Sequence, residues 1–223
     1  FNFWLNSPVT ADPHGHGTHV AGIIASPQIG VAPAAKVLPI TVLSPEGKGN
    51  YATIIKGVEY AIKNKARIIN LSVGGYDPYG LTTSQWMAVI HKAKKANILI
   101  VAAAGNDKVN IDNIPFYPAR AKADNVITVA SCGIGGAFSL AFSNYGVFSV
   151  DICAPGEKIL SLNDDYFNSG LLVAESGTSM AAPYVSGVAA LMIEANPGLS
   201  AKKIKLIIES TVKEKVGLWG RVK

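Results

Sequence analysis

Residues 176–183, Ser-Gly-Thr-Ser-Met-Ala-Ala-Pro, decide the reading of this chain, because they run straight into an apolar stretch at 184–193. A glycine, a short polar residue and then small residues at the head of an apolar helix put Ser179 in the first turn of that helix. Backbone N–H groups without helical partners gather there with the positive end of the helix dipole, and both favour a negative charge on a nearby oxygen. A serine in front of a helix is ordinarily a cap. It becomes a nucleophile only when other parts of the chain bring it a base and a charge stabiliser.

Two further stretches supply such groups. His16-Gly17-Thr18-His19-Val20-Ala21-Gly22 sets a histidine at the start of a small-residue helix, and Ala102-Ala103-Ala104-Gly105-Asn106-Asp107 sets an asparagine just past an apolar strand. An imidazole titrates near neutral pH and suits a general base, and a side-chain amide can donate to an oxyanion. In this order the three stretches resemble the signatures H-G-T-H-V-A-G, A-A-G-N and G-T-S-M-A-x-P of the subtilisin-like serine proteases (subtilases, peptidase family S8). The resemblance runs through nearly all of the chain.

That resemblance implies a serine endopeptidase working through an acyl-enzyme on Ser179, with His16 as general base and the Asn106 amide plus the Ser179 backbone N–H as oxyanion hole. It also implies that Gly47-Lys48-Gly49 and Ser72-Val73-Gly74 flank a polypeptide substrate in extended conformation, which would pair with them like an added strand. Tyr51, and more loosely Ile54, matches a wall for an apolar side chain, while Ala102, Ala103, Ala104 and Gly105 match the lining of the primary specificity pocket. His19 matches a structural histidine. A secreted or extracytoplasmic location, a monomeric state and a pro-segment or inhibitor as a further partner belong to the same set of expectations.

The sequence departs from the family at two places. Subtilases carry the third triad member, an Asp followed by a small residue and Gly, on an early strand well before the histidine helix; here Asp12 is the sole acid upstream of His16. Asp12 matches a loop acid, and Asp151 matches a non-catalytic segment before Ala154-Pro155-Gly156. The expectation is therefore a single catalytic domain over 1–223 that lacks the strand bearing the triad Asp, truncated at its N-terminus, with 217–223 also stopping short of the family's usual end. The rival is a catalytically impaired subtilase scaffold, a pseudoprotease or binding module, if the full protein has no such Asp. The second departure is the stretch Ser26-Pro27-Gln28-Ile29, where many secreted subtilisins insert a longer Asn-rich loop that binds calcium. Calcium takes six to eight oxygens, so the tight site is expected to be absent. No cofactor is required for the chemistry, and calcium remains an expectation only as a structural ion elsewhere. His14-x-His16-x-x-His19 partly resembles the H-x-H-x-D-H of two-metal hydrolases, but Thr18 stands where the Asp would be, so no catalytic metal is expected.

Composition agrees with a well-buried α/β body, since 49% of the 223 residues are hydrophobic and 16% charged. The formal charge of +5 is spread over separate helix segments without interleaved aromatics, which argues against a nucleic-acid partner. No apolar run reaches the length of a membrane span, and Phe1 opens no signal peptide within these residues. Cys132 and Cys153 read as buried free thiols, with a disulfide as the less favoured alternative.

Periodicity predicts strands at 36–43, 67–73, 98–102, 126–130, 148–153 and 173–174, and helices from His16, at 51–65, at 81–96, after Ser179 and at 199–211, the last capped by Ser200. This alternation predicts an α/β fold, a three-layer doubly wound, mostly parallel sheet with helices on both faces. In such sheets the site lies beyond the carboxyl ends of the strands.

Overall fold

Short runs of β-branched and small apolar residues build the centre of the molecule. The computed structural model describes residues 1–164, 170–214, 216–218 and 220–223. In chain order it contains α1 (His16–Ala25), α2 (Tyr51–Lys63), β1 (Ile68–Leu71), β2 (Gly75–Tyr76), α3 (Thr83–Lys95), β3 (Leu99–Ala103), β4 (Phe116–Tyr117), β5 (Val126–Cys132), β6 (Ile152–Pro155), β7 (Ile159–Ser161), β8 (Val173–Glu175), α4 (Thr178–Ala195) and α5 (Ala201–Thr211), followed by a 3₁₀ turn at Val216–Leu218. β1, β3, β5 and β6 form one sheet in that order, every pair parallel, with Leu71 opposite Ala102 and Ala103 opposite Val129. β3 and β5 are buried along their whole length, as strands covered on both faces must be.

Alternation along β3 sorts the two faces. Ile100 packs with Ile54, Val58 and Ala61 of α2 and with Trp86, Val89, Ile90 and Ala93 of α3. Leu99, Val101 and Ala103 turn the other way, onto Ala181, Ala182, Val185 and Ala189 of α4 and Ile204 and Ile208 of α5. The result is the three-layer α/β arrangement that the alternation predicts. α2 and α5 are polar on their outer sides, whereas α4 lies between the sheet and α1, where Met180 joins Val20 and Ile23. Side chains close the helix starts: Asn50 accepts from Thr53 N–H at 2.9 Å, and Ser200 accepts from Lys203 N–H at 3.2 Å. Asp77 receives the N–H groups of Leu81 and Thr82, both at 2.8 Å, ahead of α3.

Two expectations need correction, and one pair of short strands has no counterpart among them. Residues 36–43 join no sheet: the stretch is extended but makes only a parallel bridge between Thr41 and Asn2, and Val37 and Leu38 are exposed. Pro39 has no N–H to give a ladder. The strand expected at 148–153 begins only at Ile152, because 147–149 form a turn with Phe148 outside. The polar stretch 107–123 hides β4, which pairs antiparallel with β2. Two residues are too few to show a period.

Candidate active site

Paired strands end together, so the loops after β1 and β3 emerge side by side. Ser72-Val73-Gly74 follows β1, Ala104-Gly105-Asn106 follows β3, and Ser179 is the second residue of α4, which packs on both strands.

The two polar loops are stitched to the head of α4. Ser179 Oγ donates to the Ser72 carbonyl at 3.2 Å, and Ser72 Oγ donates to the Ser179 carbonyl at 2.8 Å. The second bond follows from the sequence: the helical partner of the Ser179 carbonyl is the N–H of residue 183, and residue 183 is proline. Ser72 takes the place of the missing donor.

Asn106 is fixed by Thr178, a fully buried residue. Its Oδ1 accepts from Thr178 N–H at 2.9 Å and from Thr178 Oγ1 at 3.0 Å, while Thr178 Oγ1 accepts from Gly105 N–H at 3.0 Å. A backbone N–H only donates, so the amide orientation is set and Nδ2 faces away from Thr178. It faces the approach to Ser179: a Cβ built on Gly177 would lie 3.3 Å from Asn106 Nδ2 and 3.7 Å from Ser179 N. Among the described residues the Ser179 N–H has no acceptor. Two donors therefore border one point beside Gly177, which a side chain there would fill. Asn106 itself is exposed.

Sequence reasoning missed the support behind this loop. Buried Asn144 donates to the Ala104 carbonyl at 2.9 Å and accepts from Asp107 and Val109 N–H at 2.9 and 3.1 Å, which holds the turn around Asn106 from across the fold. Gly105 adopts φ +100°, and a Cβ there would meet the Phe116 ring at 2.7 Å. Only glycine accepts both the left-handed backbone and that contact. No local pattern marks Asn144 or Phe116.

His16 begins α1, whose first turn is held by Asp12: its Oδ2 accepts from Thr18 N–H at 2.6 Å and from Thr18 Oγ1 at 2.8 Å. Burial holds the imidazole below the ordinary histidine value, opposed first by the negative charge of Glu175 and then, after a further lowering by His14, by Asp12; His19 lowers it a little more. Glu175 owes its place beside α1 to His19, which is buried and donates Nε2–H to the Val173 carbonyl of β8 at 3.0 Å. The three histidines do not converge: His14 and His16 meet edge to face at 6.2 Å, while His19 is spent on β8. Among the described residues no group of three or more His, Cys, Asp or Glu side chains is placed to hold a metal ion. Asp151 is also spent, accepting from Thr128 N–H at 2.8 Å and from Lys205 of α5 at 3.0 Å.

The remaining sequence-predicted residues sit at strand ends, in the 44–49 turn and at the start of α2. Gly74 is exposed after β1, and Ala103 is buried at the end of β3. Lys48 has both backbone groups engaged by Ser44, N–H to Ser44 Oγ at 3.3 Å and carbonyl from Ser44 N–H at 2.7 Å, and Gly47 N–H goes to the Ser44 carbonyl at 2.9 Å. Tyr51 leans inward on Trp86, ring centroids 5.8 Å apart, with its hydroxyl near Gly75. Burial and the Asp77 charge push that phenol up to about 12. In the turn at 26–30, Gly30 N–H donates to the Ser26 carbonyl at 2.8 Å and Ser26 Oγ donates to Gln28 Oε1 at 3.1 Å.

The chain is similar to known proteins along nearly its whole length. Residues 5–220 match the model of the subtilase family. Subtilisin DY of Bacillus licheniformis is 37% identical over 216 residues, which are 94% of this chain and 74% of that protein. A thermostable alkaline protease of Halalkalibacterium halodurans is 38% identical and subtilisin E of Bacillus subtilis 37% identical; the chain spans 55% and 51% of their lengths. A crystal structure of a cold adapted subtilisin-like serine proteinase superposes with a TM-score of 0.86 at 32% identity, covering 100% of this chain and 78% of that one.

Proposed function

The chain belongs to the subtilase family, and from that premise we propose that it is the catalytic body of a serine endopeptidase acting through Ser179. His16, neutral at working pH, takes the hydroxyl proton as Ser179 Oγ attacks a peptide carbonyl. The carbonyl oxygen becomes an oxyanion between Asn106 Nδ2 and the Ser179 N–H. His16 then returns the proton to the leaving amine, and water, activated by the same imidazole, releases the acyl group. The observation that carries this reading is the pair of donors Asn106 Nδ2 and Ser179 N–H, which lie 3.3 and 3.7 Å from one point beside Gly177.

The substrate is an extended polypeptide laid between 47–49 and 72–74. Because Ser44 occupies Lys48, pairing on that side falls to Gly49 and the Gly47 carbonyl, with exposed Gly74 opposite. Val73 and Ser72 flank Gly74, Tyr51 supports the wall from behind through its contact with Trp86, and Ala103 and Gly105 floor the pocket. We further propose one domain over 1–223, a monomer, a secreted or extracytoplasmic site of action, chemistry without a cofactor, and no tight calcium site at 26–30. No helix of the described residues is long and apolar enough to cross a membrane.

One observation favours the impaired-scaffold reading: among the described residues no carboxylate is hydrogen-bonded to the His16 ring. A fluorophosphonate separates the two. Endopeptidase chemistry predicts a single phosphonyl adduct, located by peptide mass mapping on Ser179 and absent from Ser179→Ala; no adduct on the natural full-length protein, or one on another residue, overturns it.

A further inference from the structure

At the other end of the sheet order, β5 and β6 carry the chain's two cysteines, Cys132 and Cys153. Ala130 lies opposite Cys153, and Cys132 lies opposite Pro155. Residues two apart on a strand share a face, so both thiols project on the same side of neighbouring strands. They lean together until their Sγ atoms are 2.6 Å apart. A disulfide bond is ~2.05 Å long, so only about half an ångström separates the pair from covalent contact.

We infer that Cys132 and Cys153 are a reactive dithiol that closes into an intramolecular disulfide when it meets a low-molecular-weight disulfide. The Cys132 thiolate attacks one sulfur of the small disulfide, forms a mixed disulfide and expels the first small thiolate, which takes up a proton. Cys153 then loses its proton and attacks the Cys132 sulfur. The Cys132–Cys153 bond forms, and the second small thiolate leaves and is protonated in turn. Two protein thiols are oxidised and one small disulfide is reduced to two thiols.

The surroundings support this order. Cys153 donates its S–H to Cys132, which holds the Cys132 thiol below its ordinary value against the opposing effects of burial and Glu157; Cys153 itself is pushed up, first by that bond and then by burial. Cys132 is itself buried at the end of its strand, but the turn that follows exposes Ile134 and Gly135 and its partner Cys153 is half-buried, so the approach for a small reactant is from that side. The location matters to the rim. The Cys132 carbonyl accepts from Gly156 N–H at 2.9 Å, and the Gly156 carbonyl accepts from Gly177 N–H at 2.8 Å, next to the start of the serine helix. A bond at this place braces the strand ends from which the Ser179 turn hangs.

The test is incubation of the reduced protein with oxidised glutathione, an acid quench, alkylation of remaining thiols in denaturant, and peptide mass mapping without reduction. The expected product is two hydrogens lighter, contains one peptide pair joined through Cys132 and Cys153, and keeps no glutathione; Cys132→Ser and Cys153→Ser each keep one glutathione instead. Two alkylated cysteines after oxidation, a glutathione held on each cysteine, or a bond between two chains overturns the inference. The map of the unsubstituted chain decides the matter even if a variant fails to fold. It reads sulfur, not proteolysis, and is therefore independent of the fate of the endopeptidase reading.

Discussion

Around Asn106 the polar groups are bound on every side but one: Thr178 takes both lone-pair directions of the amide oxygen, Asn144 ties down the flanking loop, and Ser72 grips the head of α4. Around His16 the ring is governed by burial and by charges that reach it without a hydrogen bond, Glu175 foremost. In the proposed chemistry the first region holds a geometry and the second sets a proton affinity. An oxyanion needs donors that are already aimed, since reorganising them during reaction would cost what they supply, whereas a base needs a pKa near working pH and some freedom to swing between two partners.

Substitutions can break this contrast, and Ser179→Ala is expected to have the largest effect, with complete loss of covalent labelling and of the acyl-enzyme, read by mass and by burst kinetics. Asn106→Ala comes next, with turnover falling by about 10²–10³ and KM little changed, a magnitude that belongs to subtilisin's own oxyanion donor and is carried over by resemblance. Gly105→Ala attacks the scaffold instead: the added methyl meets Phe116 in a left-handed backbone, so unfolding should become easier by about 1–3 kcal/mol in denaturant titration. If it leaves stability intact, the loop is looser than its hydrogen bonds imply.

Glu175→Gln is the smallest and sharpens the other side. Burial already holds His16 low and the Glu175 charge opposes that, so removing the charge lowers the imidazole further. The base works when neutral; the acid limb of the kcat/KM profile therefore moves to lower pH. A titration of the His16 ring by NMR should move the same way, and a shift to higher pH would show that Glu175 does not act through its charge.

The three residues of the proposed site were legible because each sits in a short local pattern, a serine before an apolar helix, a histidine opening one, an asparagine just past a strand. The same kind of local signal carried the parallel sheet, whose central strands are buried throughout and mostly apolar. What stayed hidden acts across the fold. Asn144 reaches Asp107 over 37 residues, and Thr178 reaches Asn106 over 72, so neither leaves a periodic trace. Residues 36–43 have strand composition, yet a strand is a pairing, and Pro39 with exposed Val37 and Leu38 leaves that stretch with one bridge. The Ser72 bond to the Ser179 carbonyl was legible in part, since Pro183 announces an unfilled acceptor, but nothing local says which hydroxyl fills it.

The convergence of Ser179, His16 and Asn106 is tested most directly by a crystal structure of the natural protein treated with a peptidyl chloromethyl ketone, whose carbonyl bonds a serine oxygen while its chloromethyl carbon alkylates an imidazole. The account predicts one inhibitor molecule bonded to both Ser179 Oγ and His16, with its former carbonyl oxygen within hydrogen-bond distance of Asn106 Nδ2 and the Ser179 N–H. An inhibitor attached to only one of the two side chains, with that oxygen turned away from Asn106, would contradict it.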